Sequence, residues 1–314
     1  MRDIVITGPT GAVGMALIQR CIEEKRHVLA ICHKGSERNS RIPDSPYVKR
    51  LEADVRELAG TEAGLAQGAV YGTFYHLGWM GTTGRARDDV FLQNENVRGT
   101  LEAVKLAKRL GCTRFIGAGS QAEYGRVKDR VSLKPDTPAA PETGYGMAKL
   151  CAGQMSRLLC GQLGLEHVWV RILSVYGPFD NENAMIPGAL RKLAAGQEVS
   201  FTPGGQLWDY LYSGDAARAL LALGERGISG STYVLGSGRV RPLKEYIEEM
   251  YRAVCEKVQS PGRLGLGDIP YGERQIMYLA ADISRLRADT GFEPEVDFEE
   301  GIRETLRWIL EGET

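Results

Sequence analysis

Tyr145 and Lys149 stand four residues apart in the segment TGYGMAK, a spacing that could serve proton transfer. The segment is predicted to begin a helix, and residues four apart share one face of a helix. A free phenol has a pKa of about 10 and is a poor acid or base at neutral pH, but a nearby ammonium stabilises its phenolate. The spacing alone is common and also fits an exposed helix turn. It gains meaning together with Ser120, in GSQAEYG, and with a glycine-rich motif near the start of the chain.

That glycine-rich turn comes directly after the first apolar segment, in IVITGPTGAVG. Gly8, Gly11 and Gly14 would let the backbone turn tightly and approach a pyrophosphate closely, at a helix N-terminus that favours negative charge. A three-glycine match is weak by itself, but its position after an N-terminal strand strengthens it. The turn predicts a dinucleotide site, with Thr10, Ala12 and Val13 as its other members.

The end of the second predicted strand indicates which dinucleotide is bound. An acidic residue there would hold a ribose 2′-hydroxyl, whereas cations and hydroxyls accept a 2′-phosphate. The segment AICHKGSERNSR has no acid at that point and continues with His33, Lys34, Ser36 and Arg38. NADP(H) is therefore favoured and NAD(H) remains possible, the alternative being that the segment is a solvated basic loop.

The elements that must position these residues read as an α/β fold. Five short apolar runs, IVIT, HVLAI, TFYHL, RFIGAG and HVWVRIL, alternate with amphipathic stretches, which predicts a doubly wound parallel sheet of the Rossmann type. We expect this dinucleotide-binding domain to span residues 1–175, with a return segment at about 209–236. The interrupted segments 176–208 and 237–314 are expected to form a smaller C-terminal substrate-binding region. Asp54 and Val55, after the predicted third strand, are expected to contact the adenine.

Composition limits the function further. The 314 residues carry a net charge of -1, which argues against nucleic-acid binding. No apolar run approaches the ~20 residues of a membrane span, and the start of the chain does not resemble a signal peptide, so a soluble cytoplasmic protein is expected. The six cysteines show no CxxC pair and are predicted to be small core residues. The four histidines lack metal-binding spacing, so no metal is expected.

The chain resembles the extended short-chain dehydrogenase/reductases of the NAD-dependent epimerase/dehydratase family over nearly its whole length. The matching segments are TGPTGAVG, HLGW, NVRGT, GSQAEYG, YGMAK, RILSVYGP and LWDYLYSGDAARAL. The resemblance implies that Ser120, Tyr145 and Lys149 form a catalytic triad, with Tyr145 exchanging a proton with a sugar hydroxyl or ketone. It also implies that Leu77, Gly78 and Trp79 line the cofactor, beside which Asn96 supports the strand–helix junction.

The resemblance further implies a nucleotide-sugar substrate. Its expected contacts are Thr82, Thr83, Gln121, Ser174, Trp208 and Arg274. Ser174 and Trp208 depart from the asparagine and arginine that the family often has, so the substrate could be held differently or lack a diphosphate. Arg274 resembles a phosphate-binding arginine but could equally form a surface ion pair.

The two residues after Ser120 indicate which of the family's reactions to expect. In the family's 4,6-dehydratases an acidic pair stands at the positions of Gln121 and Ala122, so a dehydratase is disfavoured. A ketoreductase that consumes NADPH and a 4-epimerase that retains NAD remain, and the basic loop favours reduction of a 4-keto sugar. A non-catalytic dinucleotide sensor is a third hypothesis, disfavoured by the complete triad.

Family members commonly dimerise through two long helices, here the one after Asn96 and the one that carries Tyr145. A homodimer is therefore expected. Leu101, Val104, Leu106 and Leu110 could serve that interface or could pack on the sheet.

Overall fold

The computed structural model describes residues 3–60, 71–127, 130–273 and 275–312. The strands are β1 (Asp3–Thr7), β2 (Val28–Cys32), β3 (Val48–Glu52), β4 (Tyr71–His76), β5 (Arg114–Ser120), β6 (Glu166–Ile172), β7 (Ser174–Tyr176), β8 (Val199–Phe201), β9 (Leu207–Trp208), β10 (Tyr210–Tyr212), β11 (Ser231–Leu235), β12 (Arg241–Pro242) and β13 (Leu264–Leu266). The α-helices are α1 (Ala12–Glu23), α2 (Val90–Arg109), α3 (Gly144–Leu163), α4 (Met185–Ala194), α5 (Ser213–Arg226), α6 (Leu243–Lys257), α7 (Ser284–Thr290) and α8 (Phe298–Leu310).

Seven strands form one sheet in the order β11-β6-β5-β4-β1-β2-β3, and every pairing in it is parallel. This is a doubly wound Rossmann sheet, so the predicted fold class is confirmed. The chain reverses its direction of winding between β1 and β4. Open sheets of this kind form a ligand crevice at the carboxyl ends of such neighbouring strands.

Both faces of the sheet are covered, which explains why the strands read as continuous apolar runs. In β1, Ile4 and Ile6 join the core under α1 and α5, whereas Val5 points to the core under α2 and α3. The period of two along the strand sends alternate side chains to opposite faces. Helices are therefore required on both sides.

The second half of the chain adds a smaller layer beside the sheet. Helices α4, α6 and α8 share a third core with the short strands β8 to β10. Strand β11 returns to the central sheet and pairs with β6. The predicted domain boundaries remain a prediction.

Three of the four apolar α2 residues considered for a dimer interface lie in the core instead. Val104, Leu106 and Leu110 are at most 6% exposed and pack under the sheet. The interpretation that they pack on the sheet is therefore the one that the structure supports.

The prediction that all six cysteines are core residues is wrong for two of them, because Cys151 and Cys255 are exposed on helix surfaces. The other four, Cys21, Cys32, Cys112 and Cys160, are buried. In the described ranges no helix combines the length and apolarity that crossing a membrane requires.

Candidate active site

The turn between β1 and α1 is packed so closely that two of its glycines cannot carry a side chain. A Cβ on Gly8, whose φ is +69°, would lie 2.6 Å from the backbone nitrogen of Gly78, and one on Gly14 would lie 2.4 Å from the carbonyl oxygen of Gly8. Gly11 is different, since a Cβ there would meet no atom within 4 Å. Helix α1 begins after Gly11 without a side-chain cap. No side chain therefore caps the first N–H groups of α1, and such groups favour an anion.

A cavity of about 340 Å³ opens at this turn, at the carboxyl ends of β1, β2 and β4. Its lining comprises Thr7, Gly8, Pro9, Thr10, Ile31, Cys32, His33, Ser36, Arg38, Ala53, Leu58, Gly78, Trp79 and Met80. The structure thus brings together much of the predicted cofactor set. The cavity lies where a doubly wound sheet places a dinucleotide.

The basic loop after β2 contributes unequally to the cavity. His33, Ser36 and Arg38 line it, whereas Lys34 is exposed and does not. Glu52, at the end of β3, fixes the loop. Its carboxylate accepts hydrogen bonds from the backbone N–H of Gly35 (3.1 Å) and from the side-chain amide of Asn39 (3.0 Å). These donors hold the pKa of Glu52 below its usual range. Sequence reasoning missed Glu52, because its proximity depends on the pairing of β2 with β3.

The carboxylate of Asp54 forms an ion pair with Arg56. Arg56 donates to it from Nε at 2.9 Å and from Nη2 at 2.6 Å, which lowers the pKa of Asp54 to about 2. The predicted contact of Asp54 with adenine stays a prediction. The side chain of Val55 and the whole of Arg274 lie outside the described residues.

The junction after β4 is held by amides of α2. Asn96 is buried, accepts a hydrogen bond from the backbone N–H of Met80 at 2.8 Å and donates to its carbonyl oxygen at 2.9 Å. Gln93 accepts from the indole N–H of Trp79 at 2.9 Å. These bonds fix the position of Trp79 and Met80 at the cavity wall, beside the half-buried Leu77.

Tyr145 and Lys149 lie on the first two turns of α3, which Thr143 caps through the backbone N–H of Gly146. Lys149 is 4% exposed, and its ammonium donates to the carbonyl oxygen of Ala118 at 2.7 Å and lies 3.8 Å from the ring centre of Trp79. Burial lowers the pKa of Lys149 to about 7, because the charged form loses hydration.

Ser120 lies opposite Tyr145 at the end of β5. Burial raises the pKa of the Tyr145 hydroxyl, while a hydrogen bond with the Ser120 side chain and the positive charge of Arg87 oppose that rise. The ring of Tyr145 meets Trp79 edge-on, with 6.1 Å between the ring centres. The structure therefore assembles the three predicted catalytic side chains next to the wall of the cavity.

The profile of the NAD dependent epimerase/dehydratase family matches residues 4–236. The chain belongs to this family. It is 23% identical to a "dTDP-glucose 4,6-dehydratase" of Neisseria meningitidis serogroup B, over all of this chain and 95% of that protein.

Two solved structures of similar fold have different activities in their names. The dTDP-glucose 4,6-dehydratase DesIV of Streptomyces venezuelae, with NAD and TYD bound, superposes with a TM-score of 0.83 at 19% identity, covering 99% of this chain and 98% of that one. The UDP-glucose 4-epimerase of Thermotoga maritima, with UDP-glucose, has a TM-score of 0.81 at 20% identity and coverage of 98% and 99%. At these identities the likeness supports the fold and leaves the reaction open.

Behind Ser120 this family member has a buried ion pair. The carboxylate of Glu123 is 0% exposed and accepts from the backbone N–H of Ser120 (2.9 Å), from the Trp169 indole (2.9 Å) and from Nε of Arg171 (2.7 Å). Through these bonds Glu123 fixes the turn that carries Ser120. The side-chain oxygen of Gln121 is buried without a hydrogen-bond partner in the described part of the chain.

The two positions that depart from the family's usual residues contact each other. Trp208, in β9, donates its indole N–H to the hydroxyl of Ser174, in β7, at 2.8 Å. Thr82 and Thr83 are exposed on the segment between β4 and α2. The same segment places Arg87 over the Tyr145 ring at 4.3 Å. Sequence reasoning missed Arg87, for which the arginines of MGTTGRARDD were the available signal.

Proposed function

We propose that this protein is an NADPH-dependent oxidoreductase that reduces a 4-keto group of a nucleotide sugar. One observation carries the proposal: Trp79 borders the glycine-rich cavity and also contacts both Lys149 and Tyr145. A dinucleotide in the cavity would therefore end beside a tyrosine equipped for proton transfer.

The cavity fits a dinucleotide by its backbone and its charge. The open space at Gly11, before α1, suits a pyrophosphate. The hydroxyl of Ser36 and the guanidinium of Arg38 would donate hydrogen bonds to a 2′-phosphate. NADPH, when bound, supplies the hydride. NADP is favoured over NAD because the described cavity lining contains no acidic side chain at the end of β2.

Proton transfer falls to the triad. Tyr145 donates its hydroxyl proton to the carbonyl oxygen that becomes the alcohol, and Ser120 donates a hydrogen bond to the same oxygen. The ammonium of Lys149 adds positive charge close to the phenolate that remains on Tyr145, which favours the transfer. Solvent then returns the proton to Tyr145.

The nucleotide-sugar substrate is inferred from the relatives, whose names give dTDP-glucose and UDP-glucose. The expected contacts are those predicted from the sequence, among them Gln121, which follows Ser120, and the hydrogen-bonded pair Trp208 and Ser174. Trp208 offers an apolar ring where the family often has a cation, so we expect contact with a base or sugar face there rather than with a phosphate.

A 4-epimerase is the second candidate, favoured by the epimerase and NAD-bound structures among the relatives. A dehydratase is disfavoured, because Gln121 and Ala122 supply neither acid nor base and Glu123 is consumed by its ion pair. The two remaining reactions differ in cofactor balance. A reductase consumes NADPH, whereas an epimerase returns its NAD unchanged.

The test supplies purified protein with a dTDP-4-keto-6-deoxy sugar and follows NADPH by its absorbance, after the cofactor released by denaturing the protein has been identified. We expect NADPH oxidation in proportion to product and little bound NAD. Stoichiometric bound NAD, with 4-epimer formed from UDP-glucose and no net NADPH use, would show the epimerase instead.

We further propose a homodimer that uses α3. Met147, Cys151, Met155 and Leu158 form an exposed apolar stripe at helical spacing on that helix. Light scattering should give twice the chain mass of 34.4 kDa, and Leu158→Glu should weaken the association.

A further inference from the structure

Arg87 lies on the short helix Gly84–Asp88, between β4 and α2, with its guanidinium against the ring of Tyr145. The guanidinium carbon is 4.3 Å from the ring centre, and Nη1 donates to the carbonyl oxygen of Thr82 at 3.0 Å. A guanidinium at this distance from an aromatic face is held by cation–π attraction. Arg87 thereby ties its own segment to the catalytic side chain.

The next residue makes a second attachment to the same helix turn. Asp88 accepts a hydrogen bond from the backbone N–H of Gly144 at 3.0 Å, and a Cβ on Gly144 would lie 3.0 Å from the carbonyl oxygen of Arg87. The segment is thus seated on the first turn of α3, next to Tyr145. This contact places the backbone of Arg87 beside Tyr145.

The guanidinium of Arg87 is also not engaged in a salt bridge within the described residues. In the described ranges of the chain it forms no ion pair with a carboxylate, whereas many other arginines do. No carboxylate of the described residues therefore binds the guanidinium where it lies against Tyr145.

In the ligand-free protein Lys149 is less well placed than Arg87 to act on the charge of Tyr145. Its ammonium lies 5.8 Å from the Tyr145 ring centre, donates to Ala118 and rests on Trp79. With a pKa of about 7 it loses its charge above neutral pH, whereas a guanidinium stays charged. The other groups that face Tyr145 are Ser120, which hydrogen-bonds it, and the carboxylate of Glu123, which opposes its ionisation.

We propose that Arg87 is a positioning residue for Tyr145, holding the phenol in place and stabilising the phenolate left when its O–H bond breaks and the proton passes to the substrate oxygen. This inference rests on the proposed function, in which Tyr145 gives its proton to the substrate. The electrostatic pairing itself is a property of the protein without substrate and can be measured without one.

The test is a pH titration of protein labelled with ¹³C at tyrosine Cζ, followed by NMR, with the Tyr145 resonance identified by its loss in Tyr145→Phe. In Arg87→Gln the titration midpoint of Tyr145 should rise by about 1 pH unit, the usual effect of removing an opposite charge at this distance. Arg87→Lys keeps the charge and should shift the midpoint less than Arg87→Gln does. The matched control Arg85→Gln removes an exposed charge two residues away and should leave the midpoint in place.

The proposal is overturned if Arg87→Gln shifts the midpoint no more than Arg85→Gln does, or if Arg87→Lys shifts it as much as Arg87→Gln. Circular dichroism at each pH confirms that the variants are folded over the range used. Failure of the proposed function is a separate result, because it would appear as absent turnover on keto sugars while these midpoints still differed.

Discussion

Arg38 is the residue at which the choice of cofactor can be tested most simply, because it lines the cavity beyond β2 while nearby Lys34 does not. A guanidinium pairs well with a phosphate and has little to bind when the 2′-phosphate is missing. Arg38→Ala should weaken NADPH binding about tenfold or more and change NADH binding by less than about twofold.

Fluorescence titration with both cofactors measures this difference. Lys34→Ala, which also removes one cation from the loop, should weaken NADPH binding by no more than about threefold. Equal loss of NADPH and NADH affinity in Arg38→Ala would contradict a 2′-phosphate contact.

At the same scale, the sequence predicts which of these residues lie together where their spacing is local. Tyr145 and Lys149 are one helical turn apart, and Gly8 and Gly14 belong to one continuous turn. Glu52 and Arg87 could not be named, because each reaches its partner only after separate elements have folded together. Lys34 does not line the cavity in the structure, and its contact with the cofactor stays a prediction.

Among the elements, α3 is packed against β5 and β6 through glycines that surround Trp169. A Cβ on Gly153 would lie 2.7 Å from the indole, and one on Gly117 would lie 2.2 Å from it. Gly161, on the exposed side of the same helix, has no atom within 4 Å of its Cβ direction. The two helix glycines therefore form a matched pair.

Gly153→Ala should lower the free energy of unfolding by about 1–3 kcal/mol, because the added methyl group has no room. Gly161→Ala should raise it by up to about 1 kcal/mol, since alanine is the better helix former. Urea unfolding followed by circular dichroism gives both values. A stabilising Gly153→Ala would mean that α3 does not press on Trp169.

The elements of the sheet were predictable because strands buried on both faces leave continuous apolar runs, such as IVIT in β1. The surfaces against which the helices pack were harder to predict. Apolar residues of α2 such as Val104 fit a dimer interface as well as the core by pattern alone, and only the tertiary packing separates these alternatives. The family resemblance added the triad roles that periodicity cannot supply.

For the whole molecule, the buried ammonium of Lys149 makes stability depend on pH. Its pKa is about 7 in the folded protein and ordinarily 10.5, so between these values the unfolded chain binds more protons. The contribution of Lys149 to the free energy of unfolding therefore becomes more favourable as pH rises from 7 towards 10.5. Below pH 7 the full cost of burying the charged ammonium is present.

Lys149→Met removes that cost, so the variant should gain stability relative to wild type most at pH about 6 and progressively less by pH about 10. Urea unfolding of both proteins across this range measures the difference. Lys105→Met, at an exposed site on α2, serves as control and should show no such trend. A difference that stays constant or grows with pH would mean that Lys149 is charged in the folded protein throughout.

The proposed reduction depends on Tyr145 acting as the proton donor beside a bound dinucleotide. The most direct measurement is the rate of NADPH oxidation with a dTDP-4-keto-6-deoxy sugar by wild type and by Tyr145→Phe, with NADPH affinity measured for both. We expect the variant to bind NADPH normally and to lose at least about a hundredfold in turnover. Full turnover in Tyr145→Phe would contradict the central claim.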